Sequence, residues 1–248
     1  MLVSAASSTF DVDVVVFDKD GTLLSLDSYW LAPSRTWITH AADGDAELTV
    51  QLEVELGLIP TESGHQLDPD GPLATASLED LVSLTRRVLG KFGIGFDETE
   101  QRTRRARTSA AEHSARLAPV AIGDVRAALT SLARAGLGIA IATTDDALPT
   151  HEALDALGIA DLVDFVVTAD GDIPSKPHRL VLATIASHFG LVPDRLLMVG
   201  DSVKDAETAA NGGAAGFVLV SADRRARVRA DAVVRSVSEI RPVPSQSP

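Results

Sequence analysis

Asp18 and Asp20 flank a lysine directly after an apolar run, in the stretch VVVFDKDGTLL at residues 14–24. Burying charge is costly, so an apolar run that breaks straight into three charged side chains has a chemical use for them. Three further stretches carry the same kinds of groups. They are Thr143-Thr144-Asp145-Asp146 after GIAIA, Ser175-Lys176-Pro177 in the loop that follows LVDFVV, and Gly200-Asp201-Ser202-Val203-Lys204-Asp205 after LLMV. Several carboxylates with no histidine or cysteine among them form a hard oxygen donor set, which suits Mg2+ most simply. Hydroxyls, backbone N–H groups and a lysine suit phosphate. A carboxylate can attack phosphorus and form an acyl phosphate once a cation offsets the repulsion between anions. A second carboxyl nearby can then serve as general acid and base at the leaving oxygen.

Such groups act together only if the fold gathers loops that are far apart in the chain. The run 12–17 is β-branched and apolar, and reads as a buried parallel strand. Similar runs follow at 137–142, 162–167, 196–199 and 216–220. Helical patterns separate them at 122–135, 151–157, 177–189 and 203–210, with glycine stops at 136, 158, 190 and 212–213 and a proline opening the third. The alternation predicts an α/β fold with a Rossmann-like three-layer core and a parallel sheet. Ligands of such sheets bind beyond the carboxyl ends of the strands, where these stretches lie.

The rhythm breaks after the first strand. Residues 25–118 show helical patterns at 28–42, 46–56, 78–92 and 97–117, interrupted by the turn-rich PTESGHQLDPDGP, and no good strand. This predicts an all-helical subdomain over 25–118 inserted into a core built from 1–24 and 119–248. The tail after Ile240, RPVPSQSP, is expected to fray.

At 248 residues and 45% hydrophobic, the chain suits one large domain or a domain with an insert. A net charge of −13, from 35 acidic and 22 basic residues, weighs against nucleic acid as a partner of the whole protein, though not against an anionic small molecule at a local site. Without cysteine there is no disulfide, thiolate metal site or thiol nucleophile. The first residues lack a basic segment, and Asp11 and Asp13 interrupt their apolar run, so we read neither a signal peptide nor a membrane span and expect a cytoplasmic protein.

Taken in order, DKDGTL, the TT after GIAIA, SKP and GDSVKD resemble the four motifs of the haloacid dehalogenase-like (HAD) hydrolase superfamily, over about residues 10–24 and 119–235. The resemblance implies a Mg2+-dependent hydrolase of small phosphomonoesters that works through a phospho-aspartate. On it, Asp18 is the nucleophile and a metal ligand. Asp20 protonates the leaving alcohol and then activates water, and its backbone carbonyl is a metal ligand. Thr22 holds the turn. Thr143 grips the transferring phosphoryl group beside the N–H of Thr144, and Lys176 bridges nucleophile and phosphate. Asp201 is the acidic metal ligand, and Asp205 supports the metal site, often through water. The insert resembles a C1-type cap, which closes over the site, excludes water and contacts substrate.

Dehalogenases of the superfamily lack an aspartate at position 20, because halide leaves without a proton. The core layout resembles most the phosphoglycolate phosphatase-like group. It departs from that group at Lys19, where an aromatic often stands, at Thr144-Asp145, where Asn-Lys is usual, and at His178, in place of the second proline of KPxP. The implied partner is a small phosphorylated molecule, with neither nucleic acid nor membrane, for a monomer or homodimer. A sugar phosphomutase and a non-catalytic binding or regulatory module stand as alternatives on the same fold.

Lys19 has two readings, a cation that tunes the carboxylates or meets the substrate, and a side chain directed away from its neighbours toward the hinge of the insert or solvent; side-chain alternation favours the second and places it outside the chemical step. Tyr29, Trp30 and Trp37 have helical spacing and are expected in the core of the insert. RTRRARTSAAEHSAR and DRRARVR read as solvated faces. His65, His113 and His178 lack the spacing of a metal site and receive no role.

Overall fold

The chain opens with a hairpin, β1 (Leu2–Ala5) and β2 (Ser8–Asp11), then enters β3 (Val14–Phe17), whose four side chains are all buried. The structure, a computed structural model, describes residues 1–62, 64–68, 71–114, 116–221 and 228–243, with residues 27–29 described by their backbone. The chain divides into two compact units, one of Met1–Ser25 with Val120–Pro248, the other of Leu26–Pro119. The second unit holds α1 (Leu26–Ala42), α2 (Ala46–Leu56), β4 (Leu58–Thr61), β5 (Gly64–Leu67), α3 (Pro72–Thr75), α4 (Leu78–Lys91) and α5 (Phe96–Ser114). The first unit resumes with α6 (Val125–Arg134), β6 (Gly138–Ala142), α7 (Ala147–Ala156) and β7 (Phe165–Val167). It continues with α8 (Leu180–His188), β8 (Leu196–Gly200), α9 (Val203–Gly212), β9 (Gly216–Val220), β10 (Ala232–Val234) and β11 (Ile240–Pro242).

Six strands form one parallel sheet in the order β10-β9-β8-β3-β6-β7. Residues of alternate parity in its strands feed two separate cores, as the two-residue period of a strand requires. Val15, Phe17, Ile139, Ile141, Leu197 and Val199 pack with Leu129 and Leu132 of α6. Val14, Val16, Ala140, Ala142, Leu196 and Met198 pack with Val181, Leu182 and Ile185 of α8. Both faces are covered, which is why these strands read as unbroken apolar runs. From β3 the chain builds first toward β6 and β7, then crosses back to β8, β9 and β10. The strand order therefore reverses at β3, and the crevice of a doubly wound sheet opens at its carboxyl end. Asp18 is the first residue past that end.

Three features of this unit differ from the sequence expectation. β1 pairs antiparallel with both β2 and β11, so a three-stranded sheet joins the start of the chain to its end. Arg241 and Pro242, expected to fray, are in that ladder opposite Ser4 and Val3; residues 244–248 lie outside the described residues. Of the run 162–167 only Phe165–Val167 is strand, after a single 3-10 turn at Ala160–Leu162. The helix expected from Pro177 starts at Leu180, where the His178 carbonyl accepts the Val181 N–H, so Lys176 and Pro177 belong to the preceding loop.

The second unit is not all-helical. β4 and β5 make a hairpin inside the turn-rich stretch, with Leu58 opposite Leu67 as its buried end and residues 59–62 exposed. Its core gathers Trp37, Ile38, Leu48, Leu52, Leu56, Val88 and Leu89. The Trp37 Nε1–H donates to Thr85 Oγ1 at 3.0 Å, which satisfies the indole in the apolar interior. Trp30 packs at the margin of this core, while the Tyr29 side chain lies outside the described residues. The arginine run on α5 is laced with acids: Arg102 pairs with Glu98, Arg105 with Asp43 and Arg107 with Glu79. Residues 223–227 of the second arginine stretch lie outside the described residues. Among the described residues, no helix is long and apolar enough to cross a membrane.

Candidate active site

At the end of β3 the Asp18 N–H still donates to the Val199 carbonyl of β8, at 2.8 Å, so Asp18 is placed by the sheet itself. The chain then turns sharply. The Lys19 carbonyl accepts the N–H groups of Leu23 and Leu24, and Gly21 adopts a φ of 80°. A Cβ at Gly21 would lie 2.0 Å from Asp201 Oδ2, so glycine here allows the Asp201 carboxylate to rest against the turn. Thr22 is buried beneath the turn.

β8 delivers Asp201 and Asp205. Ser202 caps α9, with its Oγ accepting the Asp205 N–H at 3.3 Å. In return, Asp205 Oδ2 accepts from the Ser202 N–H at 3.1 Å and Oγ at 2.6 Å. This reciprocal cap fixes a fully buried carboxylate. Gly200 makes room for it, since a Cβ there would lie 2.4 Å from Asp205 Cβ. Lys176 enters from the loop ahead of α8, and its Nζ donates to Asp18 Oδ1 and Asp205 Oδ1, both at 2.6 Å. The lysine thus bridges the residue placed by the sheet and the residue placed by the cap.

Oxygens of Asp18, Asp201 and Asp205 come within 4.8 Å of one another. Burial pushes the Asp18 carboxyl up to about 7, against the opposing charge of Lys176 and with repulsion from Asp205 and Asp20. Asp201 is held well above the usual carboxylate range, by burial first and then by the charges of Asp18 and Asp205. Burial works to lower Lys176, but the charges of Asp18 and Asp205 outweigh it and keep the ammonium charged. The site therefore sets three carboxyl groups, all oxygen donors, against one lysine, and burial holds two of them toward the protonated form that a bound cation would displace. That set fits a divalent hard cation such as Mg2+. Both oxygens of Asp205 are engaged, Oδ1 by Lys176 and Oδ2 by Ser202, whereas at Asp18 the lysine takes Oδ1.

Thr143 stands buried at the end of β6, beside β3, and its Oγ1 accepts the Asp145 N–H at 3.1 Å. Half-buried Thr144 follows it in the same turn. The Asp20 carboxyl is not in the acidic cluster. Its Oδ2 lies 2.7 Å from Lys19 Nζ, and Asp145 Oδ2 lies 3.1 Å from the same nitrogen. This corrects the outward-pointing reading of Lys19, which is fully buried, and places its ammonium against carboxylates, as the other reading had it. Burial would lower its ammonium, and the charges of Asp20 and Asp145 more than restore it. Sequence reasoning gave no role to Ser202 or Asp145. The spacing Ser202-x-x-Asp205 is a capping-box signal that could have found the first; the second stands in the stretch after GIAIA, but no local signal marks its pairing with Lys19.

Gly21→Ala should weaken Mg2+ binding by about 10–100-fold, with a matching loss of activity, because the methyl displaces Asp201. Gly44→Ala is the control. It has a φ of 88° but no atom within 4 Å of the new Cβ, so only backbone strain remains and Mg2+ affinity should not move. Calorimetric titration of both variants checks this.

The family model of the haloacid dehalogenase-like hydrolases matches residues 12–213, a span that contains all four stretches of the site. A phosphoglycolate phosphatase of Rhodospirillum rubrum is 30% identical over 205 residues, 79% of this chain and 74% of that protein. One of Nitrosococcus oceani is 36% identical over 96 residues, 39% of this chain and 41% of that protein, so the match spans less than half of its length. Among solved structures, a predicted phosphoglycolate phosphatase from Haemophilus somnus 129pt superposes with a TM-score of 0.68. It covers 92% of this chain and 96% of that chain at 19% identity, a likeness of fold.

Proposed function

The chain belongs to the haloacid dehalogenase-like hydrolases, and we propose that it is a Mg2+-dependent phosphatase of small phosphomonoesters, of the phosphoglycolate phosphatase kind, acting through a phospho-aspartate on Asp18. The observation that carries this reading is the bridge of Lys176 between Asp18 and Asp205 at the switch point of the sheet, with Asp201 alongside. Asp18 is held at one oxygen by the ammonium, and its carboxylate bonds to phosphorus. The bond from phosphorus to the ester oxygen breaks, and the electron pair leaves on that oxygen, which takes a proton from Asp20. In the second half Asp20, now a carboxylate, takes a proton from water as the water oxygen bonds to phosphorus. The bond between phosphorus and Asp18 then breaks, which frees phosphate and restores the carboxylate. Thr143 Oγ1, the Thr144 N–H and Lys176 hold the phosphoryl oxygens throughout. Asp18, Asp201 and the Asp20 backbone carbonyl would hold Mg2+, which would supply the positive charge that lets a carboxylate approach an anionic ester. The unit Leu26–Pro119 is the part of the chain that the resemblance makes a C1-type cap.

Purified protein with Mg2+ should release inorganic phosphate from p-nitrophenyl phosphate and from alkyl phosphates, 2-phosphoglycolate among them, and a chelator should stop the release. Isomerised sugar phosphate without released phosphate would favour a mutase instead. No turnover on a metabolite panel would sink the enzymatic reading.

A further inference from the structure

Among the described residues two lysines are buried, and the mechanism above uses one of them. The other, Lys19, is held on every side that can be named. Its carbonyl anchors the turn through Leu23 and Leu24, and its Nζ lies between Asp20 Oδ2 and Asp145 Oδ2, at 2.7 and 3.1 Å. Asp145 is itself immobilised by the backbone. Its Oδ1 accepts the Asp146 N–H at 2.9 Å, its N–H donates to Thr143 Oγ1 at 3.1 Å, and its carbonyl accepts the Ala169 N–H at 2.9 Å. A continuous chain of polar contacts therefore runs from Thr143 through Asp145 and Lys19 to Asp20. It starts at the hydroxyl assigned to the phosphoryl group and ends at the carboxyl assigned to the leaving oxygen. An ammonium removed from water is costly unless it is paired, and an apolar side chain could have filled the same space. The charge at Lys19 is accounted for by what it holds.

We propose that Lys19 and Asp145 are positioning residues for Asp20: Lys19, held from behind by Asp145, fixes the Asp20 carboxyl in one orientation, at a set distance from the phosphoryl site. Neither touches the reacting atoms. The inference rests on the proton-transfer role proposed for Asp20.

The test compares two substrates that differ in their need for a proton. p-Nitrophenoxide leaves p-nitrophenyl phosphate unaided, whereas the alkoxide of 2-phosphoglycolate, or of the best alkyl phosphate in the panel, must be protonated as it leaves. The readout is kcat/KM, which covers the steps through loss of the leaving group and excludes the attack of water. Lys19→Met and Asp145→Ala should each lower kcat/KM for the alkyl ester by roughly 10–100-fold, and for p-nitrophenyl phosphate by at most about threefold. Equal losses on both substrates, the mark of a merely structural role, or no loss on either, would overturn the proposal. Lys19→Met leaves two carboxylates facing each other, so the charge-balanced double variant Lys19→Met with Asp145→Asn carries the same expectation should the single variant not fold. Asp20→Ala separates the two levels of inference. If it shows no discrimination between the substrates, the role given to Asp20 fails. If it discriminates and the Lys19 and Asp145 variants do not, only the positioning role fails.

Discussion

Asp18→Asn should lower phosphate release by roughly 10⁴-fold or more while leaving thermal stability equal to the parent or higher. The carboxamide has the shape of the carboxylate, and its oxygen can still accept from Lys176 Nζ, which lies 2.6 Å from Asp18 Oδ1. It is not a nucleophile, so no phospho-enzyme forms. The stability half of the prediction follows from burial, which pushes the Asp18 carboxyl up to about 7. A folded-state pKa raised above the unfolded one means that the native protein binds more protons between the usual carboxylate range and about 7. Metal-free parent protein then loses stability as pH rises through that window, and at pH 8 it carries the whole penalty. The asparagine variant lacks this slope. Its advantage in melting temperature should be largest at pH 8 and vanish toward pH 4. Mg2+ should raise the melting temperature of the parent more than that of the variant. An Asp18→Asn protein that keeps a tenth or more of the parent activity would falsify the nucleophile assignment.

The parts of the molecule legible in the sequence share one physical property. Val14–Phe17, Gly138–Ala142, Leu196–Gly200 and Gly216–Val220 are covered on both faces, so burial writes itself as an unbroken apolar run, and each reactive stretch is marked by the abrupt end of such a run or by the loop that follows one. The β1–β2–β11 sheet lacks that property. Val3, Ala5 and Phe10 are buried between exposed or half-buried serines, threonine and aspartate, in strands of four residues or fewer whose last partner is at the other end of the chain. The β4–β5 hairpin is hidden for the same reason, with one buried pair, Leu58 and Leu67, inside a stretch rich in turn residues. Alternation fails for Lys19 because it is a rule for extended backbone, and the strand ends at Phe17. By Lys19 the chain is already turning, with two N–H groups on one carbonyl and a left-handed glycine two residues on. The partner that accounts for a buried lysine, Asp145, is on the neighbouring strand's loop; the end of GIAIA marks its stretch, but nothing in local sequence marks its pairing with Lys19. It is also notable chemically that Lys19 and Asp145 both depart from the phosphoglycolate phosphatase-like pattern, and that the two departures pair with each other.

Lys176→Met should be the most destabilising change at the site, costing metal-free protein about 3–5 kcal/mol at pH 8 in denaturant unfolding. Methionine keeps the length of the stem, so little packing is lost. What is lost is the cation between Asp18 and Asp205, two carboxylates that burial and the Ser202 cap hold in place and that cannot turn outward to water. With the ammonium gone, nothing opposes the burial that already raises Asp18 and Asp201. The variant should therefore recover much of its stability as pH falls from 8 to 5 and these carboxyls take up protons. Combining the change with Asp18→Asn removes one of the stranded charges. The double variant should be more stable than Lys176→Met alone, a coupling of the sign expected for groups in direct contact. Mg2+ should restore part of the stability of Lys176→Met, because a second cation relieves the same repulsion. It should not restore turnover, because the ammonium also orients the nucleophile and holds the phosphoryl oxygens. A cost at pH 8 no larger than at pH 5 would mean that the lysine supports the fold by packing, and that the charge balance at the head of the sheet is set by other groups.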